Sequence, residues 1–275
     1  MNRPWDPCRV PPAVRLALRQ AYRLARARFG HQHWWPADTP FEVCVGAILT
    51  QNTAWSNVER TLGPLKAAGL MEPRRLHALP LPELARHLRP AGHFNVKARR
   101  LRAFLDVLVG EFDANLHSLL SGPTSEARER LLRIPGIGPE TADSILLYAG
   151  GHPIFVIDAY TRRIFARHGW YCGSPTWNSL AAPASPPLAQ QEPGPPLPWP
   201  TRPSPGLSYE ALQSLCMAAL AHKRGAALDY WQDYHAQIVR IGKDFCRPRN
   251  PRCQDCPLRQ LLPAPRPAAA LVDSA

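Results

Sequence analysis

Two closely spaced glycines, followed further along by a single carboxylate, form the most informative pattern in this 275-residue sequence. Gly136 and Gly138 lie within residues 132–142, Leu-Arg-Ile-Pro-Gly-Ile-Gly-Pro-Glu-Thr-Ala, where they permit a positive φ and the close approach of another backbone. Because the turn precedes a helical stretch, its N–H groups and the helix N-terminus could hold a phosphate. Asp158 ends an apolar run at 154–157 and could stabilise positive charge on a sugar or orient a water molecule. The pattern predicts a phosphate anchor with one acidic group acting beside it.

Both features also have a purely structural interpretation. A Gly-x-Gly segment is common at ordinary corners between helices. Asp158 could cap the helix that follows it, by accepting hydrogen bonds from N–H groups near Tyr160 or Thr161. The residues Thr-Ala-Asp-Ser-Ile-Leu at 141–146 continue the pattern and favour a phosphate-binding hairpin over an ordinary corner between helices. A capping role and a chemical role for the same carboxylate are compatible.

The charge of the chain favours a polyanionic partner. The formal net charge is +12, and such a balance promotes binding to polyanions through counterion release. Arginine supplies nearly all of this charge, since the lysines are only Lys66, Lys97, Lys223 and Lys243. No apolar run approaches the roughly 20 residues of a membrane span, and the N-terminal residues lack the apolar core of a signal peptide. We therefore expect a cytoplasmic protein without a membrane partner.

The placement of apolar, proline and glycine residues predicts an all-α fold. Helices are expected at 12–29, 41–50, 54–68, 82–88, 95–110, 125–133, 140–150, 158–168, 208–222 and 226–243. The proline-rich segment 172–206 cannot bury enough apolar area to offset its ordering entropy, so a disordered insertion is predicted there. Residues 263–275 are predicted to form a flexible tail.

Seven cysteines in a cytoplasmic protein argue against a disulfide framework. Three of them, Cys246, Cys253 and Cys256, are clustered, with six and two residues between them. The histidines His31, His33, His152 and His168 show no metal-binding spacing, and no role is predicted for them. The clustered cysteines are therefore the candidate metal site of the sequence.

Residues 134–142 together with Asp158 resemble the helix-hairpin-helix DNA glycosylases of the endonuclease III superfamily. Residues 46–53, Gly-Ala-Ile-Leu-Thr-Gln-Asn-Thr, resemble the strand-penetrating loop of that family, and residues 92–98, Gly-His-Phe-Asn-Val-Lys-Ala, resemble a second DNA-facing loop. The 3-methyladenine glycosylase-like branch is the most similar one. The clustered cysteines complete the resemblance in the order that the family has.

The resemblance implies a monomer with two helical domains and a central cleft. Residues 36–152 would form the domain with the hairpin, and residues 1–35 plus 153–262 would form the domain with the cysteines. Double-stranded DNA with a damaged base would lie across the cleft, with the damaged nucleotide flipped into it. The DNA contacts implied by the resemblance are Gly136, Ile137, Gly138, Thr141, Gln51, Asn52, Asn95, Arg247 and Arg249, of which Gln51 would fill the gap in the duplex.

By the same resemblance, Asp158 is the catalytic carboxylate. Bifunctional members carry, at the position of Glu140, a lysine that attacks the sugar, which neither a carboxylate nor a protonated arginine can do. A monofunctional base-excision-repair glycosylase, which hydrolyses the N-glycosidic bond without lyase activity, is therefore implied. Trp34, Trp35 and Trp55 resemble the base-stacking positions of the branch that removes alkylated purines, whose cationic bases are attracted to indole faces. Packing in the core is the alternative role for these tryptophans.

The cysteine spacing resembles the ligand set of the family's [4Fe–4S] cluster, but Leu262 stands where the fourth cysteine is expected. Such a cluster normally takes four thiolates. Cys8 or Cys216 could complete the set, one iron could stay open, or the site could hold zinc or nothing. The role of a cluster would be structural.

Two other functions remain compatible with these residues. One is removal of oxidised pyrimidines by an endonuclease III-type enzyme in which Glu140 is tolerated. The other is a non-catalytic relative that binds damaged DNA, against which the presence of Asp158 argues.

Overall fold

The computed structural model of the chain describes residues 10–170, 208–221 and 228–263, and within these ranges every regular element is a helix. The α-helices are α1 Pro12–Phe29, α2 Pro40–Leu49, α3 Trp55–Ala67, α4 Pro73–Ala78, α5 Leu81–His87, α6 Phe94–Gly110, α7 Leu116–Leu120, α8 Thr124–Leu132, α9 Pro139–Tyr148, α10 Ala159–His168, α11 Tyr209–Leu220 and α12 Leu228–Asp244. Two short 3₁₀ helices are described, Arg89–Ala91 and Arg259–Leu261. The predicted all-α fold is confirmed.

Two short helices differ from the prediction. The sequence did not indicate α4 and α7, because six and five residues are too few to display a helical period. The predicted insertion at 172–206, and all but the first residue of the predicted tail at 263–275, lie outside the described residues. None of the helices in the described part of the chain combines the length and the apolar character that crossing a membrane requires.

The chain divides into two compact units. The hairpin unit consists of His33–Val156 and Arg224–Ala236. The cysteine unit consists of Met1–Gln32, Ile157–Lys223 and Gln237–Ala275. The described residues 228–236, which were predicted to lie in the domain formed by 1–35 and 153–262, belong to the hairpin unit.

The hairpin unit is built around α2, which is apolar on every side. Every residue from Phe41 to Leu49 is buried, and α2 packs against α9, α6 and α3. Thr39 caps the start of α2 by accepting a hydrogen bond from the Glu42 N–H, with an N···O distance of 3.1 Å. This packing holds α9, the second helix of the hairpin, against the core of the unit.

A buried ion pair joins the two helices that flank the glycine turn. Asp143 on α9 has a fully buried side chain, and Arg128 on α8 donates to it from Nε at 2.7 Å and from Nη2 at 3.3 Å. Two parallel N–H···O bonds fix orientation as well as distance. The pair therefore sets how α8 and α9 face each other across residues 133–138.

The cysteine unit brings α10 close to α12. Gly242 on α12 lies against the Tyr160 ring, and a Cβ added at this glycine would overlap that ring. Arg163 on α10 donates from Nη2 to the Gly242 carbonyl at 3.1 Å. Within the same unit, Gln237 donates to the Gly30 carbonyl at 2.7 Å, which ties α12 to the end of α1.

We expect the substitution Asp143→Ala to lower the free energy of unfolding by about 3–5 kcal/mol, because it removes the fully buried carboxylate with which the largely buried Arg128 guanidinium forms an ion pair. The matched control is Arg74→Ala, which removes an exposed ion pair to Asp113 in the same unit and should cost no more than about 1 kcal/mol. Urea unfolding of both variants measures the difference. Equal losses for the two variants would show that the buried pair does not hold the hairpin helices.

Candidate functional site

The turn between α8 and α9 requires glycine at one position. Gly136 has φ +91°, and a Cβ added there would overlap the Arg100 side chain. The buried side chains of Ile134 and Ile137 anchor the turn on either side of it. The Ile137 N–H closes the turn by donating to the Ile134 carbonyl at 3.1 Å. The hairpin conformation thus depends on Gly136 in both backbone angle and space.

Gly138, unlike Gly136, does not have the positive φ that the sequence suggested for both glycines. Its φ of −93° and ψ of 178° are extended angles that any residue adopts, and a Cβ added there would meet no atom within 4 Å. The turn itself does not require this glycine. Gly138 directly precedes α9, whose first residue is Pro139 and whose start has no side-chain cap in the described part of the chain. Its small size leaves the start of α9 open to an approaching group.

Gln51 links the loop after α2 to the hairpin. Its Nε2 donates to the Gly136 carbonyl at 3.1 Å and to the Thr141 hydroxyl at 2.9 Å. Arg100 in turn donates to Gln51 Oε1. Three residues predicted to contact DNA are therefore joined in one hydrogen-bonded group. Thr141 is buried within that group.

The other predicted DNA contacts are mostly exposed. Asn52 follows Gln51 with a left-handed φ of 54°, and Asn95 lies in the first turn of α6. Both are in the hairpin unit and exposed. Arg247 and Arg249 are exposed in the cysteine unit, on the segment between Cys246 and Cys253.

Four aromatic rings pack together in the hairpin unit. The ring centroids of Trp34 and Trp55 are 6.0 Å apart, those of Trp35 and Trp55 are 5.2 Å apart, and those of Trp35 and Tyr148 are 5.1 Å apart. Gly46 on α2 makes room for the cluster, because a Cβ there would lie 3.2 Å from the Trp55 ring. The indole N–H groups of Trp34 and Trp35 are buried without an acceptor among the described residues. The cluster could stack on a flat base and donate hydrogen bonds to it.

Tyr148 and His235 are members of this region that the sequence did not single out. The Tyr148 hydroxyl lies 2.7 Å from His235 Nδ1 and donates to the Gln232 carbonyl at 3.1 Å. Gln232 and His235 lie 84 and 87 positions further along the chain than Tyr148. No local pattern could have indicated this contact.

Asp158 is the N-cap of α10, as its structural interpretation predicted. Its Oδ1 accepts hydrogen bonds from the Thr161 N–H at 2.6 Å and from the Thr161 hydroxyl at 2.8 Å. Asp158 is 8% exposed. Burial, and secondly the negative charge of Asp158, raises the pKa of Tyr160. Thr161 thus fixes the orientation of the acidic group.

The two described lysines of the hairpin unit are both engaged. Lys97 is 1% exposed, and its Nζ donates to the Ala91 carbonyl at 2.6 Å. Burial, together with the charge of Arg100, lowers the pKa of Lys97. Lys66 forms ion pairs with Asp38 at 2.5 Å and Glu42 at 3.1 Å, and hydrogen bonds to these carboxylates raise the pKa of Lys66.

Glu140 occupies the first turn of α9, where its side chain is exposed. Of the remaining lysines, Lys243 is exposed on α12 in the cysteine unit. Lys223 lies outside the described residues.

A pocket in the cysteine unit brings together all three clustered cysteines. It is lined by Arg167, His168, Phe245, Cys246, Cys253, Cys256, Arg259 and Leu262. Arg167 donates from Nη1 to Cys246 Sγ at 2.8 Å, a contact that favours a thiolate. Burial nevertheless raises the pKa of the Cys246 thiol and raises that of Cys256 to about 11.

The structure answers part of the question about a fourth ligand. Leu262 lines the pocket but has no ligand atom. Cys216 is buried on α11 and does not line the pocket, and Cys8 lies outside the described residues. His168 does line it, although its sequence spacing gave no signal. In the described ranges, no three His, Cys, Asp or Glu side chains converge closely enough to bind one metal ion.

Residues 45–182 match the sequence profile of the HhH-GPD superfamily base excision DNA repair proteins. A candidate DNA repair glycosylase of Methanocaldococcus jannaschii, MJ1434, is 35% identical over 240 residues, which cover 87% of this chain and 92% of that protein. Endonuclease III of Thermotoga maritima is 24% identical over 232 residues, 84% of this chain and 85% of its own.

Solved structures show the same fold. A non-covalent endonuclease III–DNA complex superposes with a TM-score of 0.66 at 19% identity, covering 90% of this chain and 94% of that one. The H. pylori 3-methyladenine DNA glycosylase MagIII, bound to 1,N6-ethenoadenine, gives a TM-score of 0.60 at 24% identity, covering 84% and 97%. The chain belongs to the HhH-GPD superfamily of base excision DNA repair proteins and is a DNA repair glycosylase of that superfamily.

Proposed function

We propose that the protein is a monofunctional DNA N-glycosylase, which hydrolyses the bond between a damaged base and its sugar in duplex DNA. The observation that carries the proposal is the contrast between an oriented carboxylate and the two engaged lysines of the hairpin unit, Lys66 and Lys97. Thr161 holds Asp158 in place, while Glu140 occupies the position at which a lysine would attack the sugar. Lys97, the lysine nearest in sequence to that hairpin, is buried against the Ala91 carbonyl.

Asp158 acts on the sugar in this proposal. As the C1′–N bond breaks, its electron pair leaves with the base, and positive charge develops on the sugar. The carboxylate stabilises that charge and orients a water molecule, whose oxygen bonds to C1′ and whose proton passes to the carboxylate. No amine bonds to C1′, so the abasic strand remains uncut.

An alkylated purine is the proposed substrate class, and the tryptophan cluster supports it. Such a base is cationic, is attracted to the face of an indole ring, and leaves as a neutral molecule without an acid to protonate it. Rings 5–6 Å apart around Trp35 offer several such faces. The N–H groups of Trp34 and Trp35 add donors for acceptor atoms on the flipped base.

DNA binding is proposed to use the hairpin and the exposed polar residues of both units. The open start of α9 beside Gly138 would receive a backbone phosphate. Asn52 and Asn95 would contact the strands from the hairpin unit, and Arg247 and Arg249 would neutralise phosphates from the cysteine unit.

The proposed cofactor is a [4Fe–4S] cluster bound by Cys246, Cys253 and Cys256. The pocket that these three side chains line, and the guanidinium at Cys246 Sγ, fit such a group. Thiolates of a cluster bind different irons, which agrees with side chains that share a pocket without converging on one ion. A bound cluster would serve as a structural cross-link within the segment 246–256.

We expect Asp158→Asn to slow base release from methylated duplex DNA by about 100- to 1,000-fold, the usual cost of losing one electrostatic group that stabilises a transition state. Asparagine keeps the oxygen that caps α10, so folding and DNA affinity should change little. Gas- or liquid-chromatographic assay of free base gives the rate. Asp106→Asn, at an exposed carboxylate paired with His77, is the matched control and should leave the rate unchanged.

Wild-type activity decides between the proposal and its alternatives. No base release from methylated DNA, with tight binding retained, would favour a non-catalytic DNA-binding protein. Release from DNA with oxidised pyrimidines alone would move the substrate to that class.

Borohydride trapping tests the absence of an attacking amine. The wild type should form no covalent adduct with damaged DNA, because its hairpin carries no lysine. Glu140→Lys places an amine in the first turn of α9, and we expect this variant to form an adduct that denaturing electrophoresis detects. An adduct formed by the wild type would overturn the monofunctional assignment.

The two hairpin glycines should respond differently to alanine. Gly136→Ala should lower the free energy of unfolding by about 1–3 kcal/mol, because it combines a strained φ with a steric overlap. Gly138→Ala should leave stability within about 0.5 kcal/mol and weaken duplex binding about tenfold, because its methyl group would occupy the space through which a phosphate reaches the start of α9. Thermal unfolding and fluorescence anisotropy measure the two effects. Unchanged DNA affinity in Gly138→Ala would contradict a phosphate site at this position.

A further inference from the structure

The cysteine pocket contains one side chain with metal-binding chemistry that is not a cysteine. His168 is the last residue of α10, is 5% exposed, and lines the pocket with Cys246, Cys253 and Cys256. Its ring stacks on the Trp170 ring with centroids 4.5 Å apart and planes 32° apart. The imidazole is therefore held in a defined plane in the wall of the pocket that the three cysteines also line.

A backbone hydrogen bond determines which ring nitrogen can bind a metal. His168 Nδ1 lies 3.1 Å from the Leu261 carbonyl oxygen. A carbonyl only accepts, so Nδ1 carries the proton and Nε2 keeps its lone pair. This is the arrangement in which histidine ligands are oriented, with one ring nitrogen donating to a carbonyl and the other facing the metal. No residue in the described ranges hydrogen-bonds to Nε2.

The same hydrogen bond places the imidazole beside the position of the missing thiolate. Leu261, whose carbonyl receives the Nδ1 proton, directly precedes Leu262, where the fourth cysteine of the resembled ligand set is expected. Both Leu262 and His168 line the pocket. An imidazole from α10 thus reaches the pocket wall from which a cysteine at position 262 would have extended.

We propose that His168, through Nε2, is the fourth protein ligand of a [4Fe–4S] cluster whose other three ligands are Cys246, Cys253 and Cys256. The inference rests on the cofactor proposed above and replaces the fourth thiolate with a neutral ligand. It assigns a function to a histidine whose sequence spacing gave none.

One consequence concerns the charge of the cluster. An imidazole adds no negative charge, whereas a thiolate adds one. Replacement of thiolate by histidine raises the reduction potential of other iron–sulfur centres. We therefore expect a higher potential for the wild type than for a variant in which four cysteines bind the cluster.

The test uses the full chain purified without oxygen, with four readouts: iron content, sulfide content, nitrogen hyperfine coupling in pulsed EPR of the paramagnetic cluster, and reduction potential. The wild type should contain about four irons per chain. It should also show a nitrogen coupling that changes when the histidine ring nitrogens are isotopically labelled. His77→Asn, at a half-buried histidine in the other unit, should keep both properties.

Two variants separate ligation from packing. His168→Asn keeps an N–H for the Leu261 carbonyl and removes Nε2, so it should lose the nitrogen coupling and most of the iron. The double variant His168→Asn, Leu262→Cys should recover the iron, lack the nitrogen coupling, and have a lower reduction potential than the wild type. Recovery in the double variant would show that the single variant had lost a ligand rather than its fold.

Four outcomes would overturn the proposal. A wild-type cluster without nitrogen coupling, or full iron content in His168→Asn, would exclude His168 as a ligand and leave the cofactor standing. Zinc without iron, or no metal in the wild type, would exclude the cluster itself. Base release by the same preparations is measured separately, so neither result decides the glycosylase assignment.

Discussion

The contact on which the hairpin depends is the buried ion pair between Arg128 and Asp143. A charged pair away from water adds little net stability, but either partner alone would be strongly unfavourable. The main effect of the two hydrogen bonds is therefore to fix the relative placement of α8 and α9. Because the turn joins these two helices, its conformation depends on their placement. In that conformation Gly136 has a backbone angle that only glycine adopts without strain.

The glycine turn and Asp158 belong to different units, and each is organised by contacts within its own unit. In the hairpin unit, Arg100 donates a hydrogen bond to Gln51, which in turn donates one to the Gly136 carbonyl of the turn. In the cysteine unit, Thr161 orients Asp158 with two hydrogen bonds to one oxygen. The glycine turn and Asp158 are therefore held by separate sets of contacts, each within its own unit.

Local patterns in the sequence were enough to predict ten of the twelve described α-helices and the cap on α10. Apolar periodicity, proline and glycine locate the ends of helices, and the spacing from Asp158 to Thr161 is that of an N-cap. Contacts between distant segments could not be predicted in this way. The pairing of Tyr148 with His235, the burial of Asp143 against Arg128, and the entry of His168 into the cysteine pocket all depend on tertiary packing. The different roles of the two hairpin glycines likewise required the backbone angles.

The hydrogen bonds of Gln51 have a consequence for how the loop after α2 meets a nucleic acid. This amide is already satisfied by the Gly136 carbonyl, the Thr141 hydroxyl and the Arg100 guanidinium. For Gln51 to enter a duplex, all three partners must be released and must find water or nucleic acid instead, at a cost of about 1–3 kcal/mol for any buried group left unsatisfied. The loop after α2 is thus held to the turn in the free protein, and any movement of the Gln51 side chain away from it must first break these three hydrogen bonds.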